Sequence, residues 1–374
     1  MNDYALTLPR RVLFGGGVSG KLCAELPPSA EKVLIVAGVH TVSDGTADRF
    51  AGMIRESGRA AEIISGISAE PPPEDVDRVI LAGRRMNASA VAAIGGGSII
   101  DAAKAAAAII PLDGLCADYF SGERTIPGKG VFFAALPTTA GTGAEMTRNS
   151  VLTDSVSKVK KSLRSPFMTA DAAIVDPLLT HSCPAGLTAS SGLDAFVQAA
   201  EAYANPAAGV YSKTLALTAL NKIFFSLRTA CREPDNAAAR SDMAEGSMLA
   251  GMAFAPCGLG AVHGLAHPVG SLLGVPHGVA CAVLMPYVFE YNLPAAEAEY
   301  AAMARAVGLN TARDFTDAAK RLASELNVPE NFRGYGMTRE HFPFILKNCR
   351  SASMKSNPRF MPDEDVLALL EKLI

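Results

Sequence analysis

The chain of 374 residues has no surplus of either charge sign: its formal net charge is −3. That removes the electrostatic case for nucleic acid or an anionic membrane surface as a partner. No apolar run reaches the length of about 18 residues that a transmembrane helix requires. The alanine-rich stretch after Asp101 is interrupted by Lys104 and stopped by Pro111. The first ten residues carry no signal-peptide core. The seven cysteines, an odd number without a C-x-x-C pair, read as reduced thiols. A cytoplasmic location without a membrane partner is the expectation. There is also no internal repeat and no low-complexity linker. What is present is a globular composition, 49% apolar and 19% charged, in a chain too long for one ordinary core.

Up to about residue 180, β-branched and alanine-rich runs alternate with helical patterns. Strands are predicted at 32–37, 61–64, 89–94, 132–136 and 173–175, with helices at 47–58 and 74–85 between them. Such alternation implies βαβ units on a mostly parallel sheet. After Pro184 the strand signals stop. Helices are predicted at 188–203, 210–230, 237–254, 261–273, 277–291, 295–307, 315–326 and 363–374. The expectation is an α/β domain over residues 1–182 followed by an all-α domain over 183–374, with the functional site at their junction.

Three of the six histidines fall between His263 and His277. His263 and His267 are four apart and share one face of a helix. His277 follows Gly274-Val275-Pro276, a turn signal that can bring the chain back beside that face. Imidazole is the commonest metal ligand and proton carrier, although a buried polar cluster satisfied by backbone carbonyls has the same signature.

Two other segments suit a phosphate group. Gly95-Gly96-Gly97-Ser98, followed by Asp101 and Lys104, ends a strand and opens a helix. Its glycines let backbone approach an anion at the helix N-terminus, or they serve conformation alone. The segment is not G-x-G-x-x-G, so an ordinary Rossmann domain is not implied. A second strand end, from Leu136 to Thr147, clusters Thr138, Thr139, Thr142 and Thr147 with Gly141 and Gly143. Hydroxyls and free amides there suit a pyrophosphate and ribose, or simply cap a helix. Farther on, Asp194 and Gln198 lie one turn apart on a predicted helix, able either to complete a metal site or to cap and pair locally.

Together these motifs carry a resemblance. GGGS-x-x-D-x-x-K, P-T-T-x-G-T-G-x-E-x-T, G-x-D-A-x-x-x-A-x-E-x-Y and H-G-x-A-H-P-x-G-x(6)-H-G are similar to those of the iron-dependent (group III) alcohol dehydrogenases, relatives of dehydroquinate synthase. The match runs in order from Pro9 to Arg359. The resemblance implies a divalent metal, Fe²⁺ or Zn²⁺, held between the domains by one Asp and three His. Asp194, His263 and His277 match three of those ligands. The fourth, a histidine in the family, is Gln198 here, a weaker and harder donor. His267 matches a proton-relay histidine, and Phe254 a position lining the substrate pocket.

The resemblance further implies NAD or NADP, with Gly38, Gly95, Gly96, Gly97, Ser98, Asp101, Thr138, Thr139, Thr142, Thr147, Val151 and Lys160 as candidate cofactor residues. Gly38 stands where the family often has an acidic residue that repels a 2′-phosphate, so NADP remains open. Lys355 lies in a loop, 353–359, that approaches the family's active site, where it could hold an acidic aldehyde or remain a solvated lysine. The expectation is therefore a homodimeric NAD(P)-dependent oxidoreductase interconverting a small alcohol and its aldehyde or ketone. Gln198 leaves a metal-independent, maleylacetate reductase-like enzyme as one alternative. A dehydroquinate synthase-like lyase and a non-catalytic nucleotide or metal sensor are the others.

Overall fold

The computed structural model describes residues 4–374. Alternation within the strands decides how the first half folds. In β2 (Lys32–Ala37), Val33, Ile35 and Ala37 enter one apolar layer while Leu34 and Val36 enter another. The same division holds in β4 (Ala90–Gly95) and β5 (Phe132–Pro137). Successive side chains in a strand point to opposite faces, and a sheet covered on both faces needs apolar residues at both phases. With β1 (Arg11–Phe14), β3 (Ala60–Ile64) and β8 (Ala172–Val175) these strands form one six-stranded sheet in the order β1-β8-β5-β4-β2-β3. Every pairing in it is parallel.

The chain moves outward from β2 to β3, then returns to place β4 on the other side of β2. That reversal makes the carboxyl ends of β2 and β4 a topological switch point, the preferred ligand crevice of an open α/β sheet. The connecting helices are α1 (Leu22–Glu25), α2 (Val39–Ser43), α3 (Thr46–Glu56), α4 (Pro73–Met86), α5 (Gly97–Ile109) and α6 (Cys116–Ser121). A separate antiparallel pair, β6 (Asn149–Thr153) and β7 (Lys160–Arg164), follows β5. The sequence pattern does not announce β1, β6 or β7. All three are short and partly exposed, so none carries the continuous apolar run of a buried strand.

The second half is helical: α7 (Ala185–Ala204), α8 (Val210–Arg232), α9 (Ala237–Cys257), α10 (Ala261–Leu273) and α11 (His277–Asn292) come first. Then follow α12 (Glu297–Ala306), α13 (Ala312–Glu325), α14 (Phe342–Asn348), α15 (Ala352–Lys355) and α16 (Asp363–Glu371). Small residues let α7, α8 and α9 approach closely: a Cβ on Gly192 would lie 2.3 Å from Leu227, and one on Gly246 2.7 Å from Ile223. Helix α13 starts earlier than its apolar pattern suggests because Thr311 and Asp314 form a reciprocal capping box. The chain folds as two compact units. One comprises residues 7–139 and 143–182; the other comprises 4–6, 140–142 and 183–374.

Candidate metal centre and nucleotide loops

Helix α7 presents Asp194, Gln198 and Glu201 at i, i+4 and i+7, one stripe of a helix face. All three are buried. Asp194 stands in the interior of α7, not at its start, so it caps nothing. Its Oδ1 lies 3.1 Å from His263 Nε2 and 3.8 Å from His277 Nε2.

Helix α10 starts against the same stripe. Glu201 Oε1 accepts the Val262 N–H at 2.7 Å, satisfying one of the free amides of that helix end. Its Oε2 pairs with His263 Nδ1 at 2.6 Å. A single carboxylate thus fixes both where α10 begins and which ring nitrogen of His263 is left to face Asp194, the usual second partner of a metal-ligating histidine. Gly260 makes room for it, since a Cβ there would lie 2.8 Å from Glu201 Oε1. Asn357 accepts the Ala261 N–H at 3.1 Å and exchanges amide hydrogen bonds with Asn292.

The turn after α10 passes through Gly274 at φ 66° and Pro276, and α11 opens with His277. The rings of His263, His267 and His277 form a triangle with centroids 5.4–6.5 Å apart. Cys281, one turn beyond His277, brings its Sγ to 3.7 Å from His277 Nε2. One donor atom from each of Asp194, His263, His277 and Cys281 lies within 4.8 Å of the others. Burial pushes the Asp194 carboxyl up, but His277 and His263 bring it below its ordinary value. Burial likewise pushes the His263 imidazole down, while Cys281, Glu201 and Asp194 hold it well above its ordinary value.

This set fits a divalent cation. A carboxylate and two imidazoles converge, and Gln198 Oε1 on the same stripe is buried with no hydrogen-bond partner. An unpartnered buried amide oxygen is costly, and a ligand or ordered solvent at the site would relieve it.

In the α/β unit, the two glycine corners bracket the switch point. Gly38 follows β2 and donates its N–H to Ile94 O at 3.0 Å. Gly95 ends β4, and α5 begins after Gly96 with no side-chain cap, so the Gly97 and Ser98 amides at its start suit an anion while Ile99 N–H donates to Gly96 O. Thr138, at the end of β5, donates its N–H to Gly95 O, and Thr139 Oγ1 would lie 3.3 Å from a Cβ on Gly96. A Cβ on Gly95 would meet Ile99 at 2.5 Å, so that glycine also answers a packing need.

The signature "Iron-containing alcohol dehydrogenase" matches residues 9–177, and "Fe-containing alcohol dehydrogenase family, C-terminal" matches residues 188–374. The chain belongs to the iron-containing alcohol dehydrogenase family. It is 34% identical to the 1,3-propanediol dehydrogenase of Klebsiella pneumoniae, over 100% of this chain and 98% of that protein. It is 32% identical to long-chain-alcohol dehydrogenase 1 of Geobacillus thermodenitrificans, over 99% and 97%. Among solved structures, sulfoacetaldehyde reductase from Bifidobacterium kashiwanohense in complex with NAD⁺ superposes with a TM-score of 0.92 at 30% identity. That match covers 100% of this chain and 98% of that one. As an iron-type alcohol dehydrogenase, the chain is an oxidoreductase acting between alcohols and carbonyl compounds with a nicotinamide cofactor and a divalent metal.

Within that family frame, several loop residues turn out to bind their own protein. Asp101 is buried, with one carboxylate oxygen accepting the Val151 N–H at 3.0 Å and the other 3.5 Å from Lys104 Nζ. Thr147 Oγ1 sits 3.0 Å from Lys104 Nζ and donates to Ala144 O. Lys160 pairs with Glu70, and Ser98 donates to Ala69 O. Gly97 is the first residue of α5, and Thr142 falls in the segment grouped with the helical unit.

Phe254 lies near the end of α9, half-buried against Ala202, Ala216 and Ala253. Where a loop was expected over 353–359, Ser353–Lys355 belong to the short helix α15; Met354 packs on α10 close to Gly264, whereas Lys355 is exposed. Sequence reasoning missed Glu201, Cys281 and the anchoring role of Lys104. The first two had a signal: Glu201 extends the Asp194–Gln198 stripe, and Cys281 repeats the i, i+4 spacing after His277.

Proposed function

We propose that Asp194, His263 and His277 hold the divalent metal and that the enzyme reduces a small aldehyde to its alcohol, and runs the reverse, with NAD(H). The convergence of one carboxylate and two imidazoles on a common point carries the reading. Bound there, the metal supplies Lewis acidity toward the alcohol or carbonyl oxygen, and the nicotinamide supplies or takes the hydride. Glu201 holds His263 through Nδ1, keeping Nε2 toward the site. His267, beside His277 and only half-buried, carries the hydroxyl proton between the site and solvent through its ring nitrogen. The amides at the start of α5 and the Thr138 and Thr139 corner would cradle the cofactor's phosphates, with Asp101, Lys104, Thr147 and Val151 keeping that corner rigid.

The choice of NAD rests on the segment after β2. Residues 38–44 hold no Lys or Arg to meet a 2′-phosphate, and His40 Nε2 lies 3.8 Å from the Asp44 carboxylate. An "NAD-dependent methanol dehydrogenase" of Bacillus methanolicus is 32% identical over 92% of this chain. An "NADPH-dependent butanol dehydrogenase" of Clostridium saccharobutylicum is 30% identical over 98%, so relatives of both kinds exist and the local charge is the better guide. A homodimer working in the cytoplasm on a small molecule, with no nucleic-acid or membrane partner, completes the proposal. It is supported by the family resemblance and the balanced charge; among the described residues no single helix is long and apolar enough to cross a membrane.

The test pairs elemental analysis of purified enzyme with an aldehyde panel run with NADH and with NADPH, before and after EDTA. Stoichiometric metal, NADH turnover and loss of rate on chelation are expected. Full rate in metal-free enzyme would end the metal assignment, and a preference for NADPH would end the cofactor assignment. Sedimentation equilibrium reads the dimer.

A further inference from the structure

The three proposed ligands leave a fourth protein donor to be identified, and two side chains compete for the role. Gln198 is the residue that stands in the place of the family's imidazole. Cys281 brings a donor atom into the cluster formed by Asp194, His263 and His277. Tetrahedral zinc bonds of about 2.0–2.3 Å imply ligand-to-ligand edges of about 3.3–3.8 Å. The observed donor separations are 3.1 Å for His263 Nε2 to Asp194 Oδ1, 3.8 Å for His277 Nε2 to Asp194 Oδ1, and 3.7 Å for Cys281 Sγ to His277 Nε2. Cys281 is fully buried, and its sulfur shares with these three atoms a cluster no wider than 4.8 Å. It stands one turn after His277 on α11, so one helix face delivers both donors.

We propose, resting on the metal-site reading above, that Cys281 is the fourth metal ligand of this enzyme and that the resulting Asp-His-His-Cys set selects zinc over iron. Thiolate is the soft donor of the protein repertoire, and zinc accepts sulfur, nitrogen and oxygen donors in one tetrahedral shell. The imidazole missing from α7 is replaced by a sulfur arriving from α11. Gln198 is then outside the donor set, and its buried amide oxygen is free to accept a hydrogen bond from ordered solvent or a substrate hydroxyl.

The test loads the full-length enzyme, stripped of metal, with Co²⁺ and follows the near-ultraviolet thiolate-to-cobalt charge-transfer band together with the cobalt count. Zinc affinity is measured in parallel by competition with a chromogenic chelator. The wild type is expected to bind one cobalt per chain and show the band. Cys281→Ser and Cys281→Ala should lose the band and bind zinc about 10–100-fold more weakly, at least the scale of outer-shell changes. Gln198→Ala should keep the band and lose less zinc affinity than either Cys281 variant. Stoichiometric cobalt that depends on Asp194 but gives no band, or a band that survives Cys281→Ser, overturns the Cys281 assignment alone. Cobalt that does not bind the wild type, or binds Asp194→Ala undiminished, overturns the metal site and the inference with it. A zinc-to-iron preference unchanged by Cys281→Ser overturns the selectivity. Thermal melts of the metal-free variants report whether each folds.

Discussion

Two buried charged clusters, one in each unit, differ in how completely they are satisfied. In the α/β unit, Lys104 is 1% exposed, and its ammonium reaches Ala144 O and Asn149 O at 2.7 Å, Thr147 Oγ1 at 3.0 Å and Asp101 Oδ1 at 3.5 Å. In the helical unit, Asp194, His263, His277 and Cys281 aim donor atoms at a common point, and Gln198 Oε1 beside them has no partner. A buried charge survives when its surroundings neutralise it. The Lys104 cluster does so internally and so acts as a strut, fastening α5 to β6 and to the loop after β5. The α7 cluster leaves the Gln198 Oε1 acceptor unmet, the opening that the proposed metal or ordered solvent would fill. Motif density alone marks both as functional; satisfaction tells the strut from the site.

The largest expected effect breaks the second cluster. Asp194→Ala should remove the metal from purified enzyme by elemental analysis and cut kcat/KM by roughly 10³-fold or more, the rate equivalent of several kcal/mol of Lewis-acid stabilisation. Its fold should persist by circular dichroism. Lys104→Met is the converse: it strands Asp101 in the interior and should cost about 3–5 kcal/mol in urea unfolding, while cobalt binding at the α7 cluster stays intact. If Lys104→Met leaves stability unchanged, the strut reading fails.

Glu145 sharpens the first cluster through pH. Burial pushes its carboxyl up from 4.5 to about 7, against the pull of Lys104. Because the native state then holds this proton after the unfolded chain has released it, stability should fall as pH rises from about 4.5 to about 7. Glu145→Gln should lack that part of the slope, the difference accumulating to no more than about 3 kcal/mol. Parallel unfolding curves for the two proteins across this window would contradict the assignment. Glu201→Gln tests positioning: metal affinity should weaken about 10–100-fold, whereas an exposed acid elsewhere on α7 would change nothing. Smallest is Lys355→Met. An exposed cation contributes at most about 1 kcal/mol, so KM for anionic aldehydes should rise no more than about fivefold and KM for neutral ones not at all. Equal losses on both would discard a substrate role for Lys355.

Much of the framework was legible from residue order. Continuous runs such as 32–37 and 132–136 announced buried parallel strands, and the helix pattern 261–273 coincides with α10. The short strands β1, β6 and β7 were illegible because exposed positions dilute the apolar signal, and α13 began early because its cap lies outside the pattern. Within the site, His263 and His277 could be paired by spacing and turn chemistry. The contribution of Cys281 could not, since its value as a donor depends on how α11 is rotated against α7 and α10.

By itself the chain determined its periodicities: period-two runs for the sheet, 3.6-residue stripes for the helices, and glycine corners where strands give way to helices. Those depend on backbone geometry and local sterics, which reach only a few residues. Which buried polar groups neutralise one another was decided by tertiary packing, because Lys104 finds Asn149 across 45 positions and His263 finds Asp194 across 69. Contacts at such separations follow from how helices and strands pack, and it is there that a strut and the proposed metal site become distinguishable.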